Sequence, residues 1–188
     1  MKTHQRLDNT RLSQALADRQ LVDPRALKEA AQFSSHSKRP FTEALVSANL
    51  VADWELARVV CEIFGLPFLP VDLLQVDMKA AEGIDKDFLI ENCLVPIARH
   101  GQVLSIAMPA MVPAEVLGQL AAMTDLTVLP VVGTVNTNRQ WITEHLEVQP
   151  AAPLPSSSGE HDGGDWGSIF DQGDAAVLNE LQPPEEQR

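Results

Sequence analysis

Along residues 11–22, RLSQALADRQLV, the apolar positions Leu12, Ala15 and Leu16 recur three and four residues apart with polar residues between them. That spacing predicts a short amphipathic helix with Arg19 at its edge and Asn9 or Thr10 as its cap. Asp23 then precedes Pro24, the order of an N-cap followed by proline at the first helical position, and Leu27, Ala30 and Ala31 give the next helix an inner face. Two helices in such close succession read as a helical hairpin. After the polar and basic stretch SSHSKRP the arrangement returns in PFTEALVSANLVADWELARVVCEIFG, with Asp53 as the expected cap of its second helix. A shift of 29 residues lays Leu12 on Phe41, Leu16 on Leu45, Leu21 on Leu50, Val22 on Val51, Leu27 on Leu56 and Ala31 on Val60. This is an internal repeat. Each copy has one apolar face to bury, so the two are expected to pack as a bundle of four short helices over residues 7–65.

Beyond Gly65 the period changes. PFLPVDL, with prolines at 67 and 70, reads as extended chain, and KDFLIENC (86–93) as a short helix. LVPIAR (94–99) and QVLSIAM (102–108) read as strands turning at His100 and Gly101, a β-hairpin. A helix in 113–124, a strand in 126–132 and a helix in 134–146 follow, so residues 66–147 predict a small α/β unit and the whole chain an α+β fold. From 148 to 188 the chain is rich in Pro, Ser, Gly and Asp without a sustained period, which predicts a disordered acidic tail. Trp166, Ile169 and Phe170 form an apolar island within it, and AAVLNEL (175–181) a further helical turn.

The chain has 188 residues, 45% of them apolar but only 5% aromatic and none tyrosine, so a core must be built from Leu, Val, Ile and Ala. A formal net charge of −12 argues against a surface that neutralises phosphates, and nucleic acid is not an expected partner. Much of that charge sits in the tail, where eight carboxylates between residues 149 and 188 face Arg188 alone. Cys61 and Cys93 stand in apolar stretches without a CxxC partner and read as reduced core thiols. No run approaches the ~20 apolar residues that span a bilayer, and MKTHQRLDNT lacks the apolar core of a signal peptide, so a cytoplasmic protein without direct membrane insertion is expected.

The repeated RLxxxLxxxxLVxxxxLxxAx pattern, followed by CEIFGLPFLPVDL and LVPIARHGQVLSIAMP, resembles the N-terminal domain of the type II secretion and type IV pilus assembly ATPases. The resemblance covers residues 7–147. It implies an adaptor that precedes an ATPase motor and docks on the cytoplasmic part of an inner-membrane platform. No GxxxxGK[ST] loop occurs in the 188 residues, so the amides and lysine that cradle nucleotide phosphates are lacking and no enzymatic activity is expected. Either the platform or the assembly ATPase itself is the expected partner.

Some members of the family bind cyclic di-GMP through the two repeats, with an RLGxxLxxxGLIxxxxLxxALxxQ pattern in each. Here Arg11 and Leu12 are kept, but Ser13 and Gln20 replace the glycines of the first repeat, and Ser34 stands for its Gln with Gln32 two positions early. In the second, Pro40 replaces the Arg, Thr42 and Asn49 the glycines, and Ile63 the Gln. Arg11, Leu12, Gln32 and Arg39 remain as candidate contacts for a cyclic dinucleotide, and a cyclic di-GMP sensor is the alternative function. No other cofactor is expected.

The five histidines include no HExxH or other ligand pair, and DGGDWGSIFD (162–171) lacks the DxDxDG spacing of a calcium loop, so no metal site is expected. Lys38 and Arg39, with His36, form a basic cluster between the repeats. It is read either as a polar connector or as a contact for an anion or acidic partner. Trp166, Ile169 and Phe170 are the candidate partner-binding residues of the tail, because such islands in acidic chain dock on a partner's groove.

Overall fold

The computed structural model describes residues 7–147. Its first element, α1 (Asn9–Asp18), is capped one residue earlier than the sequence pattern suggests: the Asp8 carboxylate accepts from the Thr10 amide at 3.0 Å. α2 (Pro24–Ser37) begins as expected, with Asp23 accepting from the Arg25 amide at 2.8 Å, but it runs on through SSHS, where the polar sequence predicts a connector. Its inner face is Leu27 and Ala30, while Ala31 is exposed. α3 (Phe41–Ser47) and α4 (Asp53–Phe64) complete the second repeat. The repeat is visible in the backbone too: Gln20 and Asn49, which correspond under the shift, both turn left-handed, with φ of 56° and 53°.

Asp53 does not cap α4. The N-cap there is Ala52, with no side-chain bond, and the Asp53 carboxylate instead accepts from the amides of Val135 and Asn136, both at 2.8 Å. It therefore serves the exposed N–H groups of a helix 82 residues away, α7 (Val135–Ile142), beside that helix's own Thr134 cap. An acidic residue at a helix start satisfies orphan donors and complements the dipole, whichever helix supplies them.

After α4 the chain stops on Gly65 at φ 66°, the left-handed C-cap geometry that glycine adopts without a Cβ penalty. Residues 67–69 then run extended beside a sheet strand, Leu69 N–H donating to Val132 O at 2.8 Å and Val132 N–H to Pro67 O at 2.9 Å. Two 3₁₀ turns follow, at Val71–Leu73 and Met78–Ala81, and between them Asp77 N–H donates to Ile97 O at 2.9 Å. One segment thus touches both edges of the sheet, which leaves less unpaired backbone to recruit another strand.

The sheet itself comes from α5 (Lys86–Glu91), β1 (Val95–His100), β2 (Val103–Pro109), α6 (Ala114–Thr124) and β3 (Thr127–Gly133), in strand order β1-β2-β3. β1 and β2 are the expected antiparallel hairpin, with an irregularity between Pro96 and Ala98, and β3 returns parallel to β2 through α6. Leu104, Ile106, Met108 and Val132 line one buried face. At the other end of the strands, buried Asn138 of α7 donates to Cys93 O and Ala107 O, both at 3.0 Å. Its Oδ1 would meet a Cβ on Gly133 at 2.6 Å, so only glycine fits there. The last helix closes in a π-helical turn, Thr143–Glu147, where the His145 ring stacks on Trp141 with centroids 4.6 Å apart.

A single apolar core continues from Leu12, Leu16, Leu45 and Leu56 of the repeats into Leu94, Ile106, Leu120 and Ile142 of the sheet unit. The expected tail, 148–188, lies outside the described residues, and so do Trp166, Ile169 and Phe170. Among the described residues no helix is long and apolar enough to cross a membrane.

Candidate functional site

The two repeats carry the surface that the sequence singled out. α2 is a ridge with a groove on either side. Toward α1 the groove has a volume of about 480 Å³ and walls that include Thr10, Ser13, Lys28, Ala31, Ser34 and Phe41. Toward α3 it has about 380 Å³ and is walled by Ala26, Ala30, Phe33, Ala44 and Ala48, with Glu29 the one charged residue. Small side chains on both helices leave these spaces open. Phe33 stands at the lip of the second groove with 56% of its surface exposed.

The four candidate contacts for a cyclic dinucleotide have separate surroundings. The Arg11 guanidinium lies over the Phe64 ring, 5.3 Å from its centroid, and donates to Ile63 O at 3.3 Å. A cation over an aromatic face at a helix C-terminus gains from both ring quadrupole and dipole. Leu12 is fully buried in the core. Gln32 is exposed on α2, its carbonyl accepting from the His36 ring at 2.7 Å, and Arg39 reaches Glu43 at 3.4 Å. None of the four lines either groove.

The positions where the resembled pattern has glycine have distinct roles here. Ser13 lines the α1 side groove. Gln20 and Asn49 carry the left-handed turns. Thr42 is fully buried and donates to Met111 O at 3.2 Å, joining α3 to the loop after β2. Ser34, in the place of the glutamine, donates to Arg39 O at 2.6 Å and fixes the chain between α2 and α3.

Charge on the bundle is organised around α4. Arg19 meets Glu62 at 2.5 Å, and Arg58 lies between Glu62 at 3.0 Å and Glu55 at 2.5 Å. The hydrogen bond from Arg19 holds the Glu62 carboxyl below the usual range. A second pair is far less exposed: Arg139 of α7 bonds the carboxylate of Glu43 and donates to Ile90 O at 3.2 Å. Sequence reading missed this pair. The available signal was Glu43 itself, a carboxylate inside the apolar run FTEALV, where helical spacing turns it inward.

Cys93 is fully buried, and burial pushes its thiol up to about 12; Cys61 is half-buried and its thiol is raised by the same cause. Both are poor nucleophiles. Among the described residues no group of three His, Cys, Asp or Glu could hold a metal ion.

Residues 64–152 match the model of the MshEN domain family. Among solved structures, the N-terminal domain of XpsE is 23% identical with a TM-score of 0.59, covering 74% of this chain and 96% of that one. The structure of MshE with cdg is 18% identical with a TM-score of 0.52, covering 71% and 97%. No curated protein matches the chain. The identities are low and the structures speak for the fold, whereas the family match speaks for the segment from the end of α4 onward. Residues 64–152 are therefore similar to the MshEN domain, and the described chain shares its fold with the N-terminal domain of XpsE and with MshE, in keeping with the resemblance its sequence carries to the N-terminal domains of secretion and pilus assembly ATPases.

Proposed function

We propose that this chain is a non-catalytic adaptor and regulatory module that docks, in the cytoplasm, on the inner-membrane platform of a secretion or pilus machine or on its assembly ATPase. The observation that carries the reading is the MshEN match over residues 64–152, in a fold shared along nearly the whole N-terminal domain of XpsE. The structural unit suits the role. Asp53, Thr42 and Glu43 lock the helical repeats to the sheet unit, so a force or a binding event on one half reaches the other without a hinge. The test is direct: the purified chain, immobilised, should retain the cytoplasmic domain of the platform protein or the motor, and should show no ATP turnover alone. Turnover that survives rigorous purification, or no retention of either protein, rejects the reading.

The second reading, a cyclic di-GMP sensor, draws support from the shared fold with MshE, which binds that ligand. Against it stand the side chains. Arg11 is occupied by Phe64 and Ile63, and Pro40 leaves the second repeat without an equivalent cation. Calorimetric titration is expected to find no binding tighter than ~100 μM, or about −5.5 kcal/mol. A low-micromolar dissociation constant abolished by Arg11→Ala would promote the sensor reading.

A further inference from the structure

The pair of Glu43 and Arg139 continues at both ends. One oxygen of the Glu43 carboxylate accepts from Arg139 and the other from Arg39, 3.4 Å away on the basic connector between α2 and α3. On its far side Arg139 faces the Glu147 carboxylate at 4.0 Å. Four charges of alternating sign, Arg39, Glu43, Arg139 and Glu147, thus form one row from the connector to the last described turn of the chain. Side-chain exposure along it is 59%, 8%, 30% and 40%, so the ends are wet and the middle is shielded. Charges in the shielded middle interact most strongly and are screened least by salt.

Each end of the row is fastened to an element. The Ser34 hydroxyl donates to Arg39 O at 2.6 Å and holds the connector against α2. Glu147 closes the π-helical turn Thr143–Glu147, its second oxygen accepting from the Thr143 hydroxyl at 3.0 Å. In the middle, Arg139 donates to Ile90 O at 3.2 Å, which pins the guanidinium, so the row transmits charge more than displacement. We infer that Arg39, Glu43, Arg139 and Glu147 are an electrostatic relay that couples the α2–α3 connector to the turn Thr143–Glu147. With Arg39 on Glu43, two cations balance two carboxylates and Arg139 is shared between Glu43 and Glu147. Taking Arg39 away, by substitution or by an acidic group from outside, leaves one carboxylate in excess. Glu43 then draws on Arg139 alone, Glu147 loses attraction and the turn loosens. The relay is built into the isolated chain and works whatever protein the adaptor meets.

The test needs no partner. Amide exchange is followed in the full chain at low ionic strength for Arg39→Gln, for Glu147→Gln and for the two together. Arg39→Gln is expected to speed exchange at His145, Leu146 and Glu147 about three-fold while the amides of β2 keep their protection, because a weakened turn opens locally. In the Glu147→Gln background the same change should add nothing, a non-additivity that linked contacts produce and independent sites lack. Lys38→Gln removes a neighbouring exposed charge that forms no ion pair among the described residues, and it should leave the turn unchanged. Unaltered exchange at the turn in Arg39→Gln overturns the relay. So does an acceleration that β2 shares, one that persists in the Glu147→Gln background, or one that Lys38→Gln reproduces.

Discussion

Gln20 and Asn49 hold the left-handed conformation that ends the first helix of each repeat, with φ of 56° and 53°. A side chain there costs roughly 1 kcal/mol that glycine avoids, and asparagine tolerates it better than glutamine. Gln20→Gly is therefore expected to stabilise the protein by about 0.5–1 kcal/mol, raising the melting temperature by a few degrees, and Asn49→Gly by less. Thermal melts of the two variants check the order as well as the sign. At Cys93 the argument concerns pH. Burial raises the thiol from 9.0 to about 12, so the unfolded chain loses this proton first. Stability from this group is complete below pH ~9 and is lost as pH rises toward 12, because the native state must keep a proton that the unfolded state releases. Cys93→Ala should lower stability at pH 7 through the cavity it leaves, yet show a shallower decline than the parent between pH 9 and 11. Parallel slopes in urea titrations across that range would contradict the assignment.

At the scale of elements, the two hairpins share a pattern but not their ends. Asp23 caps α2, whereas its repeat-mate Ala52 leaves α4 uncapped, and the acid one residue on is given to α7. Asp53→Ala should accordingly cost about 1–2 kcal/mol by exposing the α7 amides. Amide exchange separates this from a local α4 effect: protection should fall at Val135 and Asn136 and stay unchanged along Asp53–Phe64. The groove beside α2 follows from the same repeat. Ala26 and Ala30 stand where larger residues would close the space to α3.

For the whole molecule the Glu43–Arg139 pair matters most, since it joins α3 of the repeats to α7 of the sheet unit with the Glu43 carboxylate buried and Arg139 half-buried. Truncating one partner strands the other's charge. Arg139→Met is expected to cost about 2–3 kcal/mol, less than a fully isolated pair would because Arg39 also reaches Glu43. The double change Glu43→Leu with Arg139→Met should recover most of that loss. Urea unfolding followed by two probes is expected to stay a single transition in all three proteins, as a core continuous across residue 65 requires. Separate transitions for helices and sheet would show that the halves fold independently.

The sequence by itself determined the elements and their kind. Period 3.6 in RLSQALAD, the Asp23-Pro24 start, the turn at His100 and Gly101, and the return of the pattern after 29 residues are local signals, each set by backbone sterics or one-sided burial, and they needed no partner to be read. The extent of α2 is hidden because Ser and His are poor helix formers in isolation, and their side chains here bond backbone carbonyls, Ser35 that of Ala31 and His36 that of Gln32, which periodicity does not register. What tertiary structure alone decided is where polar groups spend their bonds. Asp53 faced a choice between two helix starts and Arg11 between a ligand and the end of α4, and the outcome depended on which donors and acceptors folding brought within 3.5 Å. Buried polar groups are satisfied by whatever lies nearest in space, and spacing along the chain carries no record of that.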